Sequence, residues 1–96
     1  MPGASIAVDR LIRRLTSTLT LTNAGDNQLV TAIVIEPGGE RHRIDVKADN
    51  QGTAIVPFVP QGLGTITIEL RPSNEYDGTT TPKATFTGLV QAGENL

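Results

Sequence analysis

The chain has a single histidine, which stands between two arginines just after a glycine turn. His42 lies between Arg41 and Arg43, and the turn before it is Pro-Gly-Gly at residues 37–39. A catalytic histidine needs a nucleophile or a second base placed beside it. The chain has no Gly-x-Ser-x-Gly segment of the kind that presents a nucleophilic serine on a sharp turn. The sequence therefore predicts that His42 is an exposed polar residue of a strand.

The carboxylates are spread over several segments. Paired acids can hydrolyse glycosides, but sugar substrates usually stack on aromatic rings, and the chain has one Tyr, two Phe and no Trp. Residues 49–52 and 75–78 place oxygen ligands beside glycine, yet calcium needs about six to eight oxygens and the EF-hand spacing is missing. With no cysteine and one histidine, thiolate and multi-histidine metal sites are excluded. We therefore predict a protein that is not an enzyme, with no catalytic residue, no metal and no cofactor.

Three arginines near the N-terminus form the basic cluster of the sequence, and they surround Leu11 and Ile12. Arginine mixed with large apolar residues is typical of protein interfaces. A solvated strand or helix face is the default interpretation, and contact with an acidic partner surface or nucleic acid is a further one. The net charge of −2 and the pI near 5.2 give no electrostatic footprint for nucleic acid. Tyr76 stands in the longest predicted loop, residues 71–82, and such loops often carry function. The predicted interface residues are Arg10, Leu11, Ile12, Arg13, Arg14 and Tyr76.

The length of the chain suits one domain and is too short for two cores, so residues 1–96 are predicted to form a single domain. No apolar run approaches the roughly 18 residues of a membrane span. The N-terminus lacks the charged-then-apolar layout of a secretory signal. We expect no membrane partner, and synthesis in the cytoplasm without a signal peptide.

Alternating apolar and β-branched residues, separated by turn clusters, predict an all-β protein. About seven strands recur every ten to twelve residues or so, a spacing typical of a sandwich or barrel. The two strands around which the core is organised span residues 53–59 and 65–70. Pro57 cannot donate to a ladder, so the first of these is predicted to be an edge or bulged strand. Residues 29–36 are apolar on both faces and predict a central strand. The side chains predicted to point inward are Leu19, Leu21, Ile33, Val56, Phe58, Ile66 and Ile68.

Residues 8–15 allow two interpretations. Val8, Leu11, Ile12 and Leu15 share one face of a helix that Asp9 would cap. Alternatively, Leu15 begins a strand that runs to residue 22, and we favour this strand. Residues 1–15 are then an N-terminal arm or first strand, and residues 91–96 a polar tail.

Several segments resemble the bacterial and phage immunoglobulin-like domains, including the invasin and intimin repeats. Their order is Thr-Leu-Thr-Leu-Thr at 18–22, Val-Thr-Ala-Ile-Val-Ile at 30–35, and Asp-Asn-Gln-Gly-Thr-Ala at 49–54, followed by Gly-Thr-Ile-Thr-Ile at 64–68. The resemblance implies an immunoglobulin-like β-sandwich of antiparallel strands. The antibody pattern of Cys, Trp and Cys is absent from the chain.

Domains of this kind act as stalks, adhesion modules and decorations of phage capsids and tails. The resemblance therefore implies a non-enzymatic structural or attachment module in a virion or cell-surface assembly, such as a capsid decoration or tail protein of a bacteriophage. The implied partners are other protein subunits, either copies of the chain or capsid and tail proteins. The alternative is a module that binds carbohydrate or a cell surface.

Overall fold

The computed structural model describes residues 3–72 and 81–93, and these residues form strands without helices. The seven strands are β1 (Ser5–Val8), β2 (Ser17–Thr22), β3 (Leu29–Ile35), β4 (Arg41–Lys47), β5 (Ala54–Phe58), β6 (Gly64–Pro72) and β7 (Ala84–Val90). All strand pairs are antiparallel. The all-β prediction is therefore confirmed. In the part of the chain described, no helix has the length and apolar character needed to cross a membrane.

The strands form two antiparallel sheets that pack face to face as a β-sandwich. One sheet has the order β1-β2-β5, and the other has the order β4-β3-β6-β7. Two hairpins, β3–β4 and β6–β7, lie within the larger sheet, and the other connections after β2 cross between the sheets. The fourth strand lies beside the third, whereas in a constant-type antibody domain it joins the other sheet.

The core lies between the sheets and follows the alternation of the strands. Leu19 and Leu21 of β2, Val56 of β5, and Ile66 and Ile68 of β6 are buried in one cluster, as the sequence predicted. Phe58 is partly buried against the same cluster. Other members of the cluster are Val30, Val34, Leu70 and Val90. Burying a side chain of this size is worth about 1.5–3 kcal/mol, so this cluster is the main source of stability.

The prediction that Ile33 points into the core between the sheets is wrong. Ile33 is 3% exposed, but its cross-strand partners are Arg43 and Glu69, so it lies on the outer face of the larger sheet. The methylene stems of these long polar neighbours shield it from water. Thr31 on the same face is fully buried and donates its hydroxyl hydrogen to Asp45 Oδ1 at 2.6 Å. The prediction that β3 is a central strand covered on both faces is confirmed.

Pro57 lies in β5, which pairs with β2 and has no partner on its other side among the strands described. The edge position predicted from the proline is confirmed. A proline is tolerated there because the unpaired edge needs no N–H donor.

Residues 9–16, which we call the crossing segment, do not form the helix that was the alternative prediction, and the favoured strand of residues 15–22 is confirmed from Ser17 to Thr22. β1 ends at Val8, and β2 begins at Ser17 rather than at Leu15. The backbone N–H of Arg13 donates to Gln91 O and that of Arg14 to Pro60 O, both at 2.9 Å. Arg14 has a φ of 69°, which breaks any regular element. These distant acceptors outcompete the local hydrogen bonds that a helix would need.

The crossing segment seals one side of the sandwich. Ile12 forms an isolated parallel bridge with Gln91, just after β7, and Gln91 N–H donates to Leu11 O at 3.1 Å. Leu11 packs on the core at Gly88, where an added Cβ would lie 2.6 Å from Leu11 Cδ1 and 2.9 Å from Phe86 Cε1. The glycine therefore makes room for the leucine that covers this side.

We expect Gly88→Ala to destabilise the fold by about 1–3 kcal/mol, because the new methyl displaces Leu11 and the ring of Phe86. Leu11→Ala opens the same place, so the double variant should lose less than the sum of the single losses. Urea unfolding measures all three free energies. Gly38→Ala is the matched control, since no atom lies within 4 Å of its added Cβ. Strictly additive losses would contradict the contact.

Candidate functional site

The three arginines of the predicted interface, Arg10, Arg13 and Arg14, lie at one end of the sandwich. We call it the arginine end, and it consists of the crossing segment with residues 36–40 and 59–63. Two hydrogen bonds join these connections. Arg14 N–H donates to Pro60 O at 2.9 Å, and Gln61 N–H donates to Glu36 Oε2 at 3.1 Å. Pro37 also leans on Gly64, where an added Cβ would lie 3.2 Å from Pro37 Cβ. The end is therefore one connected surface rather than separate loops.

The three arginines have different surroundings. Arg10 is exposed, and its Nε donates to Thr16 O at 3.1 Å. Arg13 is half-buried, and its Nε has no hydrogen-bond partner among the residues described. Arg14 is exposed beside the Pro60 carbonyl that its N–H contacts. Arg10 and Arg14 thus face solvent, as a binding residue must.

The other predicted interface residues divide in the same way. Leu11 and Ile12 are half-buried, and Leu11 packs against the core, so their main contacts are within the fold. Tyr76 lies outside the residues that the structure describes. Three exposed apolar residues of the arginine end were not predicted as contact residues. They are Leu15 (37% exposed), Val59 (42%) and Leu63 (47%). Apolar residues beside turns were the available signal, but sequence alone does not show that these turns share one end.

A cleft opens between the free edges of β4 and β5, and we call it the β4/β5 cleft. It has a volume of about 230 Å³ and is lined by Val34, His42, Ile44, Phe58, Val59 and Gln61. A second recess of about 230 Å³ shares Gln61 and is lined also by Glu36, Gly38, Glu40 and Gly62. The cleft therefore has an apolar wall and, next to it, an acidic end.

Glu36 is a buried acid that lines the second recess, beside the cleft. The residue is 7% exposed, and its Oε2 lies 3.7 Å from His42 Nε2 besides accepting the Gln61 N–H. Its Oε1 is buried without a hydrogen-bond partner among the residues described. Glu40 is 81% exposed, with its Oε2 4.0 Å from His42 Nε2. Two carboxylates thus face one imidazole.

His42 is 47% exposed in β4, so the prediction of an exposed strand residue is confirmed. Its cross-strand partner is Val34, which is in the core, so His42 lies on the inner face of β4 at the mouth of the cleft. The alternation along β4 could have predicted this inward position, because His42 lies between the outward-facing Arg41 and Arg43. The register that brings it to Glu36 depends on the length of the hairpin turn.

The cleft and the recess beside it place polar groups next to an apolar wall. The residues that line them offer carboxylates, an imidazole and an amide. Within residues 3–72 and 81–93, no three His, Cys, Asp or Glu side chains are placed to hold a metal ion. Such a site can accept hydrogen bonds from a donor or cation and bury an apolar stem.

Three aspartates outside the cleft organise turns and the sheet surface. The Thr53 N–H, and then that of Gln51, donates to Asp49 Oδ1 and lowers the pKa of this carboxyl below 3.8. Hydrogen bonds within the turn thus explain the Asp-Asn-Gln-Gly segment that resembled a calcium ligand set. The Thr18 N–H lowers the pKa of Asp9 in the same way. The pKa of Asp45 is lowered by the Thr31 hydroxyl and then by Arg43.

Function must be inferred from these residues. No protein-family model, curated protein or solved structure matches this chain. The resemblance of residues 49–54 and 64–68 to bacterial and phage immunoglobulin-like domains therefore stays a prediction. The two surfaces of the arginine end, its exposed arginine and apolar residues and the β4/β5 cleft, are the candidate sites.

The pKa shifts predict how stability changes with acid. A carboxyl whose folded pKa is below 3.8 adds stability that is complete above 3.8 and is lost as pH falls through the folded pKa. The variant Asp9→Asn/Asp45→Asn/Asp49→Asn keeps the acceptor oxygens without the charge. We expect it to have a lower urea midpoint than the parent chain near pH 7, with the gap closing towards about pH 2. Parallel midpoint curves would contradict the assignment.

We expect Glu36→Ala to destabilise the fold by about 1 kcal/mol, because Gln61 N–H loses its acceptor in a partly buried place. Amide hydrogen exchange at Gln61 should also accelerate. Glu40→Ala is the control, since this neighbouring acid is exposed and its loss should change the unfolding free energy by less than about 0.5 kcal/mol. Equal effects of the two substitutions would show that the Glu36 contact is unimportant.

Proposed function

We propose that the protein is a non-enzymatic structural or attachment module that binds other protein subunits of a larger assembly through its arginine end. The observation that carries this proposal is the exposure of Leu15, Val59 and Leu63 at the same end as Arg10 and Arg14. Exposed large apolar residues that share a surface mark interaction sites more often than scattered ones do.

The composition of this surface fits a protein partner. Arginine is enriched at interfaces and supplies a large share of binding energy when it lies beside apolar contacts. Leu15 and Leu63 supply apolar area, and Arg14 supplies charge next to Leu15. A nucleic-acid partner is disfavoured because the chain carries a net charge of −2.

The connections that carry this surface are held in place before binding. The crossing segment is bonded to both Gln91 and Pro60, and Asp9 Oδ1 accepts N–H bonds from Arg10 at 2.7 Å and Thr18 at 2.8 Å. Ordering a loop during binding reduces affinity, so a surface that is already ordered retains more of its contact energy. This rigidity supports a role in attachment.

We propose further that the assembly is a virion, with the chain as a capsid decoration or tail protein of a bacteriophage, or else a cell-surface structure. The support is the resemblance of residues 18–22, 30–35, 49–54 and 64–68 to domains found in such assemblies. The partners would then be capsid or tail proteins, or further copies of the chain. Tyr76 is proposed as a second contact.

The test is recovery of the tagged chain from its source, followed by electron microscopy and cross-linking with mass spectrometry. We expect the unmodified chain on a large assembly, cross-linked near residues 10–15. Leu15→Ser/Leu63→Ser and Arg14→Glu should each reduce incorporation by about ten-fold, since they remove apolar contact or reverse a charge.

Leu29→Ser is the matched control for this experiment. Leu29 is 61% exposed and is the first residue of β3. The start of this strand lies at the end of the sandwich opposite the arginine end. Substitution of Leu29 removes an even more exposed leucine that lies outside the arginine end, and it should leave incorporation unchanged. The proposal fails if the unmodified chain is recovered as a free monomer, or if the three variants are incorporated equally well.

A further inference from the structure

We infer that the β4/β5 cleft binds an extended segment of a partner protein, with a lysine or arginine side chain of that segment directed to Glu36. The inference rests on the proposed function, because it takes the ligand to be another protein. It concerns the β4/β5 cleft rather than the surface of Leu15 and Leu63, with Val59 at the border between the two, and it names the chemistry that the partner must present.

The two sides of the sandwich are closed to different extents. On the β1/β7 side, the crossing segment bridges the sheets and Leu11 covers the core at Gly88. On the β4/β5 side, no described segment takes this position. Ile44 and Phe58 point inward from the two edge strands, yet both are only partly buried and line the cleft. The apolar surface of Ile44 and Phe58 that the described chain leaves uncovered is therefore available to a ligand.

The acidic end of the cleft selects a cationic donor. Glu36 is 7% exposed, and its Oε1 has no hydrogen-bond partner among the residues described. A buried carboxylate oxygen without a donor is costly. His42 Nε2 lies 3.7 Å from Glu36 Oε2 and 4.0 Å from Glu40 Oε2. A small rotation of Glu36 towards the recess would let an ammonium or guanidinium group supply the missing donor.

The apolar wall explains why the cation would be a side chain rather than a bare ion. Val34, Ile44, Phe58 and Val59 line the cleft beside His42 and Gln61. A metal ion gains nothing from such a wall. Lysine and arginine carry methylene stems that pack on apolar surfaces while their charged heads reach polar groups. The combination of an apolar wall and a nearby carboxylate matches this amphipathic shape.

The edge of β4 explains why the side chain would come from an extended segment. β4 pairs with β3 on one side and has no strand on the other in the part described. A free edge offers backbone groups to an added strand, and its alternate side chains then enter neighbouring pockets. β5 is a poorer template, because Pro57 removes one donor from it. An added strand on β4 would place alternate side chains over the cleft.

The probes are three synthetic peptides with blocked ends: Thr-Val-Lys-Val-Thr, the same peptide with norleucine for lysine, and the same peptide with glutamate for lysine. Norleucine keeps an unbranched apolar stem without the charge. Titrations of the folded chain are followed by its amide NMR signals. We expect the lysine peptide to shift the signals of β4 and Gln61, and to bind at least ten-fold tighter than the norleucine peptide. The glutamate peptide should not bind.

Two variants test the role of Glu36. Glu36→Gln should reduce affinity for the lysine peptide to that for the norleucine peptide. Asp26→Asn is the matched control, because it removes the same charge from an exposed turn at the other end. The comparison of lysine with norleucine uses the unmodified chain, so it stays decisive if Glu36→Gln folds poorly.

The inference is overturned if the lysine and norleucine peptides bind equally, if the shifts lie on β1 or β7, or if no peptide binds. It is also overturned if β4 signals shift with protein concentration alone, which would make a second copy the occupant. Failure here is distinct from failure of the proposed function. Leu15→Ser/Leu63→Ser should leave peptide binding intact, and a chain that binds no peptide can still join its assembly through the arginine end.

Discussion

The contact of Leu11 with Gly88 is the constraint on which the rest of this structure depends. It holds the crossing segment against β7, and the segment in turn bonds to Gln91 and Pro60. One side of the sandwich is thereby closed, and the connections of the arginine end are drawn together. A larger residue at position 88 would push the segment away, with Arg14 and Leu15 on it. The geometry of the proposed contact surface thus follows from a missing side chain on a neighbouring strand.

The crossing segment closes the β1/β7 side of the sandwich, whereas inward-pointing residues on the β4/β5 side stay partly exposed. Ile44 and Phe58 occupy inward positions but stay partly exposed, and the polar groups beside them are only partly satisfied. A fold selected for stability alone would be expected to have an apolar residue at position 36, or a hydrogen-bond donor next to the Glu36 carboxylate. The same end of the molecule therefore combines a rigid surface with an incompletely satisfied cleft.

The fold was largely predictable from the sequence, because alternation along a strand is a local property. Residues 17–22 and 41–47 show it directly, and Pro57 marked an edge strand correctly. The failures arose where partners distant in sequence decide the outcome. The crossing segment has helical spacing, but its N–H groups bond to residues 60 and 91. Ile33 looked like a core residue, yet its register with Arg43 places it on the outer face. Glu36 and His42 meet because of the hairpin register, which their types do not reveal.

The position of β3 has a consequence for how the molecule opens. This strand is paired on both edges, and residues 30–34 are buried on both faces. Its amide hydrogens can reach water only when the whole domain comes apart, so their exchange should report the global free energy of unfolding. Residues 37–40 of the turn that follows it are exposed, and they can open without the rest of the domain. A pull applied to the arginine end would therefore strain the turns first, while the central strand kept the domain intact.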